Sequence, residues 1–225
     1  MIAPDLAAAF YKISVWALPL VLAITLHEAA HALVARRLGD DTAQRLGRVS
    51  LNPLRHVDPF GTVLLPGILL LTGSPFLFGW AKPVPINLWR MHNPRRDMVL
   101  VALAGPGINL LLALLSALLL HLTLFLPSGM AGWAEANLAN SVLINVILAV
   151  FNMIPLPPLD GGRVAVGVLP QALALPLARM ERYGMVILLG ALLVLPVLGI
   201  NLFQSVLWTP IRSLAMAIYA LAGVI

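Results

Sequence analysis

Long apolar runs separated by short polar segments dominate the chain. Uncharged or nearly uncharged stretches occur at about 13–35, 60–81, 98–127, 136–159, 183–211 and 213–225. Most of them approach or exceed the ~20 residues that a helix needs to cross the hydrocarbon layer of a bilayer. The pattern predicts an all-α integral membrane protein with about five or six transmembrane helices.

The positions of basic residues indicate which apolar runs cross the membrane. Twelve of the 14 Lys and Arg residues lie in three clusters, at 36–55, 82–96 and 163–182. Because basic residues favour the cytoplasmic side, all three clusters share a side only if run 60–81 enters and leaves on the same face. That run also contains helix breakers, namely Gly61, Pro66, Gly67, Gly73, Pro75 and Gly79. We therefore predict a membrane-embedded re-entrant element, helical or hairpin, after the first helix.

The remaining runs give the other predicted crossings, at about 11–36, 98–126, 137–156 and 184–201, with a last helix near 203–224. We expect a multi-pass protein of a bacterial or archaeal cell membrane, with its basic loops on the cytoplasmic side. The longest polar loop has about 25 residues, which is too short for a folded accessory domain.

Composition supports the membrane class. Hydrophobic residues make up 60% of the chain and charged residues 10%, whereas soluble domains carry about 25% charge. The absence of cysteine excludes disulfides and thiolate metal sites. The net charge of +5 comes from residues flanking apolar runs, so the expected partner is the lipid bilayer and not a nucleic acid.

The first crossing carries the sequence His-Glu-Ala-Ala-His at residues 27–31. Residues four apart share a helix face, so His27 and His31 are spaced to bind one Zn²⁺, with Glu28 as a general base. Ionisable groups inside a membrane segment usually mark a functional site. The alternative is a pair of histidines satisfied by hydrogen bonds inside the bundle.

A catalytic zinc needs a third protein ligand. His56, His92 and His121 are candidates, but Asp160 stands out in the segment "FNMIPLPPLDGGR". It follows a proline-broken apolar run and reaches the depth of the histidines if its helix runs parallel to the first. That arrangement requires one crossing between them, at 98–126. An Asp before two glycines is also a common turn residue.

Together these residues resemble the site-2 protease family of intramembrane zinc metalloproteases, peptidase M50-like. The match consists of His-Glu-x-x-His in one helix, "GPGIN" at 105–109 in a later one, and an Asn-x-x-Pro…Asp-Gly element that begins at Asn152. "NPLRHVDPFGTVLLPG" and "GWAKPVPIN" are similar to the segments around the family's re-entrant element. The resemblance covers about residues 20–163.

The resemblance implies that one Zn²⁺ per chain is held by His27, His31 and Asp160, and that Glu28 activates water. It also implies cleavage of a peptide bond in or near the transmembrane segment of a membrane protein substrate. The expected domain is a single polytopic membrane domain over 1–225, with a catalytic core at about 11–163 and C-terminal helices at about 183–225.

The same resemblance gives Asn152 a role in orienting substrate or polarising its carbonyl, as oxyanion support, and Asn109 a second polar role of this kind. Both asparagines could instead supply interhelical hydrogen bonds. Better-known members carry PDZ or CBS domains, for which this chain has no room, so it resembles the minimal subgroup. Substrate identity, regulating signal and oligomeric state stay open.

Two other readings compete with this one. A zincin-like membrane protease of another family would use a glutamate as third ligand, but Glu135 is expected on the far side of the membrane, and Glu181 has no helix to aim it. A non-proteolytic metal-binding membrane protein or transporter would need several acids or histidines along a path. Here these residues concentrate at one site, which favours catalysis.

Overall fold

The structure is a computed structural model that describes residues 4–71, 79–196, 198–200 and 203–225. Its α-helices are α1 Pro4–Arg37, α2 Thr42–Arg45, α3 Leu65–Leu71, α4 Pro94–Leu119, α5 Ser128–Asn152, α6 Asp160–Val168, α7 Gln171–Arg179, α8 Glu181–Leu189 and α9 Trp208–Leu221. Short 3₁₀ turns occupy Pro53–Arg55, Leu88–Arg90 and Leu120–Phe125, and π-helical turns occupy Pro59–Leu64, Gly190–Val194 and Phe203–Leu207. No strand occurs in these ranges, so the predicted all-α class is confirmed.

Three helical stretches within the described ranges are long and apolar enough to cross a membrane. They are Leu6–Arg37, Pro94–Phe125 and Ser128–Asn152, and they correspond to the crossings predicted at about 11–36, 98–126 and 137–156. The C-terminal part contains shorter helices, and Val197, Asn201 and Leu202 lie outside the described residues. The total of about five or six crossings therefore stays a prediction.

The three long helices pack with α1 and α5 parallel and α4 antiparallel to both. Near the start of α1, Asn140 Nδ2 of α5 donates a hydrogen bond to the Val15 carbonyl at 2.9 Å. Near its end, His27 Nε2 lies 3.2 Å from Asp160 Oδ2, which follows α5. Along α4 the order is reversed, because Val101 contacts His31 and Asn109 contacts His27. The parallel arrangement that the third ligand requires is thus present.

Small residues let these helices approach closely. Ala113 and Ala117 of α4 pack against Val142 and Val146 of α5 and Ile211 of α9, all fully buried. Association of helices in lipid relies on such close packing, since lipid tails are as apolar as leucine. The first turn of α4 is fixed by Asp97, whose carboxylate accepts a hydrogen bond from the Asn93 N–H at 2.7 Å.

The two ends of the predicted re-entrant segment lie side by side. The Trp80 N–H donates to the Gly61 carbonyl at 3.1 Å, and Thr62 Oγ1 donates to the Trp80 carbonyl at 2.8 Å. A Cβ on Gly79 would lie 2.5 Å from the Gly61 carbonyl oxygen, so only glycine fits there. A chain that leaves at Gly61 and returns at Gly79 is what a re-entrant element requires. Residues 72–78 lie outside the described residues, so the re-entrant path stays a prediction.

Cysteine accessibility tests this topology, because the native chain has no cysteine. Leu54→Cys and Trp89→Cys are at exposed positions on either side of the segment, and we expect an impermeant thiol reagent to label both from the same face of the membrane. Ser128→Cys, at the start of α5, is the control and should be labelled from the opposite face. If Leu54→Cys and Trp89→Cys are labelled from opposite faces, segment 60–81 is a full crossing.

Candidate metal centre

Two helix positions and one inter-helix link bring three ligand atoms together. His27 and His31 lie one turn apart on α1, and both are buried. Their Nε2 atoms are 3.0 Å apart. Asp160 Oδ2 lies 3.2 Å from Nε2 of His27 and 3.3 Å from Nε2 of His31. Among the described residues, this trio is the group of metal-ligand type that could hold an ion.

The contacts of these atoms fit a bound cation. Asp160 Oδ2 is buried and has no hydrogen-bond partner, which is costly for a carboxylate oxygen unless a positive charge faces it. Ligands about 2.0–2.1 Å from a tetrahedral Zn²⁺ lie roughly 3.3 Å from one another. The observed separations of 3.0, 3.2 and 3.3 Å are close to that value. One Zn²⁺ per chain is therefore compatible with the donor set and its spacing.

The link that carries Asp160 is irregular and tightly packed. It follows the end of α5 at Asn152, and Asp160 begins α6. A Cβ on Gly161 would collide with the Met153 carbonyl, and one on Gly162 with the backbone at Pro157. The two glycines thus let α6 start directly against the link, which aims the Asp160 carboxylate at α1.

Gly105 of α4 faces the two histidine rings. A Cβ there would lie 2.5 Å from His27 Cε1 and 2.6 Å from His27 Nε2, and it would also collide with His31 Nε2. No other residue type therefore leaves the Nε2 atoms free to meet an ion. This contact explains why the "GPGIN" element begins with glycine.

The other ring nitrogen of each histidine is also hydrogen-bonded to α4. His31 Nδ1 lies 2.7 Å from the Val101 carbonyl, which can only accept, so Nδ1 donates and the Nε2 lone pair faces the site. His27 Nδ1 lies 2.5 Å from Asn109 Oδ1. Both contacts place a proton on Nδ1, so Nε2 is the ring nitrogen that is available to bind metal.

Glu28 is half-buried beside the histidines and is held by the segment "GWAKPVPIN". Its Oε2 accepts a hydrogen bond from the Val84 N–H at 3.1 Å. Arg48 Nη2 secures the same segment by donating to the Lys82 carbonyl at 2.6 Å. The prolines on both sides of Val84 have no N–H, so Val84 supplies the donor there. Sequence reasoning did not identify this contact.

Asn109 is buried, and its amide is bonded at both ends. Oδ1 lies against His27 Nδ1, and Nδ2 donates to Asn145 Oδ1 at 2.7 Å. Asn109 therefore hydrogen-bonds to the proposed metal ligand His27. The predicted contact between Asn109 and substrate stays a prediction. Sequence reasoning missed Asn145, although Asn137, Ser141 and Asn145 recur every four residues in a largely apolar helix. That spacing is the signal for one polar face.

Asn152 is the last residue of α5 and is half-buried. Its Nδ2 donates to the Leu148 carbonyl of the same helix at 3.0 Å. The predicted role in substrate orientation or oxyanion support therefore stays a prediction, and it would require this bond to be exchanged.

The other residues considered as third ligands make contacts elsewhere. His56 Nε2 is bonded to the Ser50 carbonyl at 2.9 Å, and His121 Nε2 to the Ala222 carbonyl at 2.8 Å. Glu135 accepts from Thr123 at 3.3 Å, and Glu181 pairs with Arg163 at 3.7 Å. His92 lies against Gly39 in the loop after α1.

Comparisons with known proteins agree with the geometry. Residues 128–195 match the family model described as Peptidase family M50. The "Putative zinc metalloprotease YwhC" of Bacillus subtilis is 40% identical over 174 residues, which is 76% of each chain. The "Putative zinc metalloprotease Rip2" of Mycobacterium tuberculosis is 33% identical over 84% of this chain and 70% of its own length. No solved structure matches the chain.

The relatives share a zinc metalloprotease name, and the described structure supplies three residues positioned to bind the metal. The family and these names support a protease of the hydrolase class, and the resemblance inferred from its motifs is confirmed. The chain belongs to peptidase family M50, the family of site-2 proteases.

Proposed function

We propose that this protease hydrolyses a peptide bond in or near the transmembrane segment of a membrane protein substrate. The observation that carries the proposal is the position of the metal-ligand trio between membrane-length helices. Arg36 and Arg37 end α1, where basic residues mark the membrane interface. His31 and His27 then lie roughly 7–14 Å deeper, at 1.5 Å per residue. A peptide bond that reaches this depth belongs to a membrane segment or its flank.

In this proposal, His27, His31 and Asp160 hold the zinc ion. When bound, zinc supplies a Lewis acid that polarises the scissile carbonyl and makes water more acidic. The three side chains contribute one negative charge and two neutral donors, so the site keeps a net positive charge that stabilises developing negative charge.

Glu28 is the proposed general base. The Val84 N–H donates to Oε2, which holds one carboxylate oxygen and leaves Oε1 to accept a proton from the attacking water. Glu28 can then return that proton to the nitrogen of the departing peptide fragment. Proton transfer by a positioned side chain contributes about 10²–10⁴-fold to such reactions.

Substrate binding requires local unwinding, because a helix hides its carbonyls in i to i−4 hydrogen bonds. Residues 79–87 form neither helix nor strand and contact Glu28 through Val84. An unwound substrate segment can pair with backbone of this kind by strand addition. Asn152 is the proposed amide donor to the developing oxyanion, and it would exchange its bond with Leu148 for that contact.

The ligand assignment predicts zinc content. His27→Ala, His31→Ala and Asp160→Ala should each bind little zinc, because two remaining ligands hold the ion weakly. His121→Ala is the matched control, since this histidine bonds to the Ala222 carbonyl, and it should keep one zinc per chain. Metal analysis of purified variants measures the outcome. Full zinc occupancy in Asp160→Ala would remove that residue from the ligand set.

The contact between α4 and the histidines gives a second prediction. Gly105→Ala should abolish zinc binding, because its Cβ would lie 2.6 Å from Nε2 of His27 and would also collide with Nε2 of His31. Gly107→Ala adds the same methyl group two residues further along, where nothing lies within 4 Å, and should leave zinc content unchanged. Metal analysis of both variants, each purified as a monodisperse protein, measures the zinc content. Normal zinc content in Gly105→Ala would mean that the ion lies away from this helix contact.

The proposed mechanism predicts the effect of Glu28→Gln. This variant keeps the shape of the side chain and removes the base, so it should retain zinc and lose cleavage by at least ~100-fold. Glu135→Gln is the control, because Glu135 contacts Thr123 and not the trio. The assay uses a single-span membrane protein in detergent, with cut sites mapped by mass spectrometry.

Two results would contradict the proposal. Near-parental cleavage by Glu28→Gln would exclude Glu28 as the base and would refute the proposed mechanism. Cleavage confined to an unfolded soluble polypeptide, with the membrane-spanning substrate left intact, would exclude the proposed substrate class while leaving the zinc site in place.

A further inference from the structure

We propose that Asn145 orients the zinc ligand His27 by fixing the amide of Asn109. The inference rests on the zinc site proposed above, and it assigns a positioning role to a residue of α5 that contacts neither the trio nor Glu28. The chain of contacts runs from α5 through α4 to α1, so it links all three membrane-length helices.

The two asparagines in this series of contacts are removed from solvent. Asn109 is 0% exposed and Asn145 is 1% exposed. A buried amide needs partners for both its oxygen and its nitrogen. Asn145 and Ser141 lie one turn apart on α5 and form part of a polar face directed at Asn109 and Ser116 of α4.

The Ser141 carbonyl fixes the orientation of the Asn145 amide in this series of hydrogen bonds. It accepts a hydrogen bond from Asn145 Nδ2 at 2.9 Å. Because a carbonyl oxygen can only accept, the amide nitrogen of Asn145 must face it, and Oδ1 must face the other way. Asn145 Oδ1 then accepts from Asn109 Nδ2 at 2.7 Å.

The orientation of Asn109 sets the proton position on His27. With Nδ2 engaged by Asn145, Asn109 Oδ1 faces His27 Nδ1 at 2.5 Å and accepts a hydrogen bond from its N–H group. The Nε2 lone pair is then free to bind metal. A reversed Asn109 amide would present an N–H group to Nδ1, which would have to accept, and the ring proton would move to Nε2 and block the metal.

The two histidines reach the same tautomer by different means. His31 Nδ1 donates directly to the Val101 carbonyl at 2.7 Å, which has no alternative orientation. His27 lies against a side-chain amide with two possible orientations, and for that reason its support needs the further contact with Asn145. A neighbouring pair on the same two helices, Ser116 and Ser141, makes a hydroxyl contact at 2.7 Å, and Ser141 Oγ also accepts from Asn145 Nδ2 at the longer distance of 3.3 Å.

Zinc affinity measures this role independently of cleavage. Asn109→Leu should weaken zinc binding by about 10–100-fold, as is typical for the loss of a hydrogen bond to a metal-bound histidine. Asn145→Leu should weaken it by about 10-fold, at the lower end of that range. Because Asn145 acts through Asn109, the double variant should bind zinc no more weakly than Asn109→Leu alone. Competition with a fluorescent chelator gives the affinities.

Ser116→Ala is the control for helix packing. It removes the hydroxyl contact between α4 and α5 and leaves the Ser141 carbonyl in place, so zinc affinity should be unchanged. A loss as large as that of Asn145→Leu would mean that any polar contact between these helices supports the site, and the orienting role of Asn145 would be wrong.

The most specific test replaces the Asn109 amide by a carboxylate, whose two oxygens are equivalent acceptors. In Asn109→Asp, either carboxylate oxygen can accept from His27 Nδ1, as in the carboxylate–histidine–zinc arrangements common in metalloproteins. Adding Asn145→Leu to this background should then leave zinc affinity unchanged. If Asn145→Leu weakens binding equally in both backgrounds, its effect is general packing and the inference is overturned.

The His27→Ala variant separates this inference from the zinc site itself. Loss of zinc in His27→Ala, together with parental affinity in Asn145→Leu, would overturn the orienting role and leave the site standing. Full affinity in His27→Ala would instead refute the ligand assignment. The inference is supported only if His27→Ala loses zinc, Asn145→Leu weakens it in the native background, and the Asn109→Asp background removes that weakening.

Discussion

The convergence of Asp160 with His27 and His31 is the interaction on which the rest of the structure depends. Three ligand atoms meet within about 3 Å of one another inside the helix bundle, and the Asp160 oxygen has no hydrogen-bond donor. Such a cluster is unfavourable in a low-dielectric interior unless a cation balances it. Zinc binding is therefore coupled to the arrangement of the helices, because the ligands meet only when α1 and α5 run parallel with α4 against both.

Close backbone approach around the site depends on glycine. Gly105 admits the two histidine rings, and Gly161 lets α6 begin against the link after α5. The same link is covered from the other side, since a Cβ on Gly184 of α8 would collide with the Pro157 carbonyl. Asp160 is thus carried by irregular backbone that is packed on both sides. This explains how a non-helical segment can hold a ligand in place within a membrane protein.

Polar residues inside the bundle contact His27 of the trio as well as residues of facing helices. In lipid, polar side chains on facing helices stabilise association by hydrogen bonding, and the Ser116–Ser141 contact is of this kind. The Asn145–Asn109–His27 contacts use the same chemistry but end at Nδ1 of a proposed metal ligand. Val84 acts similarly on Glu28 from a segment without regular structure. His27 and Glu28 are therefore each hydrogen-bonded to residues remote in sequence.

Local periodicity and chemistry were sufficient to predict the helical membrane class and the three residues that the structure brings together, and the resemblance of the motifs gave the family. Four-residue spacing places His27 and His31 on one face whatever surrounds them. Asp160 stood out in its proline-broken segment, and the parallel-helix requirement served as a check on that choice. The supporting contacts of His27 and Glu28 could not be predicted, because they join residues 82 and 56 positions apart. They depend on the rotation of each helix about its axis. In a membrane both the lipid-facing and the core-facing side are apolar, so hydropathy does not show which face points inward, and only the packed tertiary structure decides it.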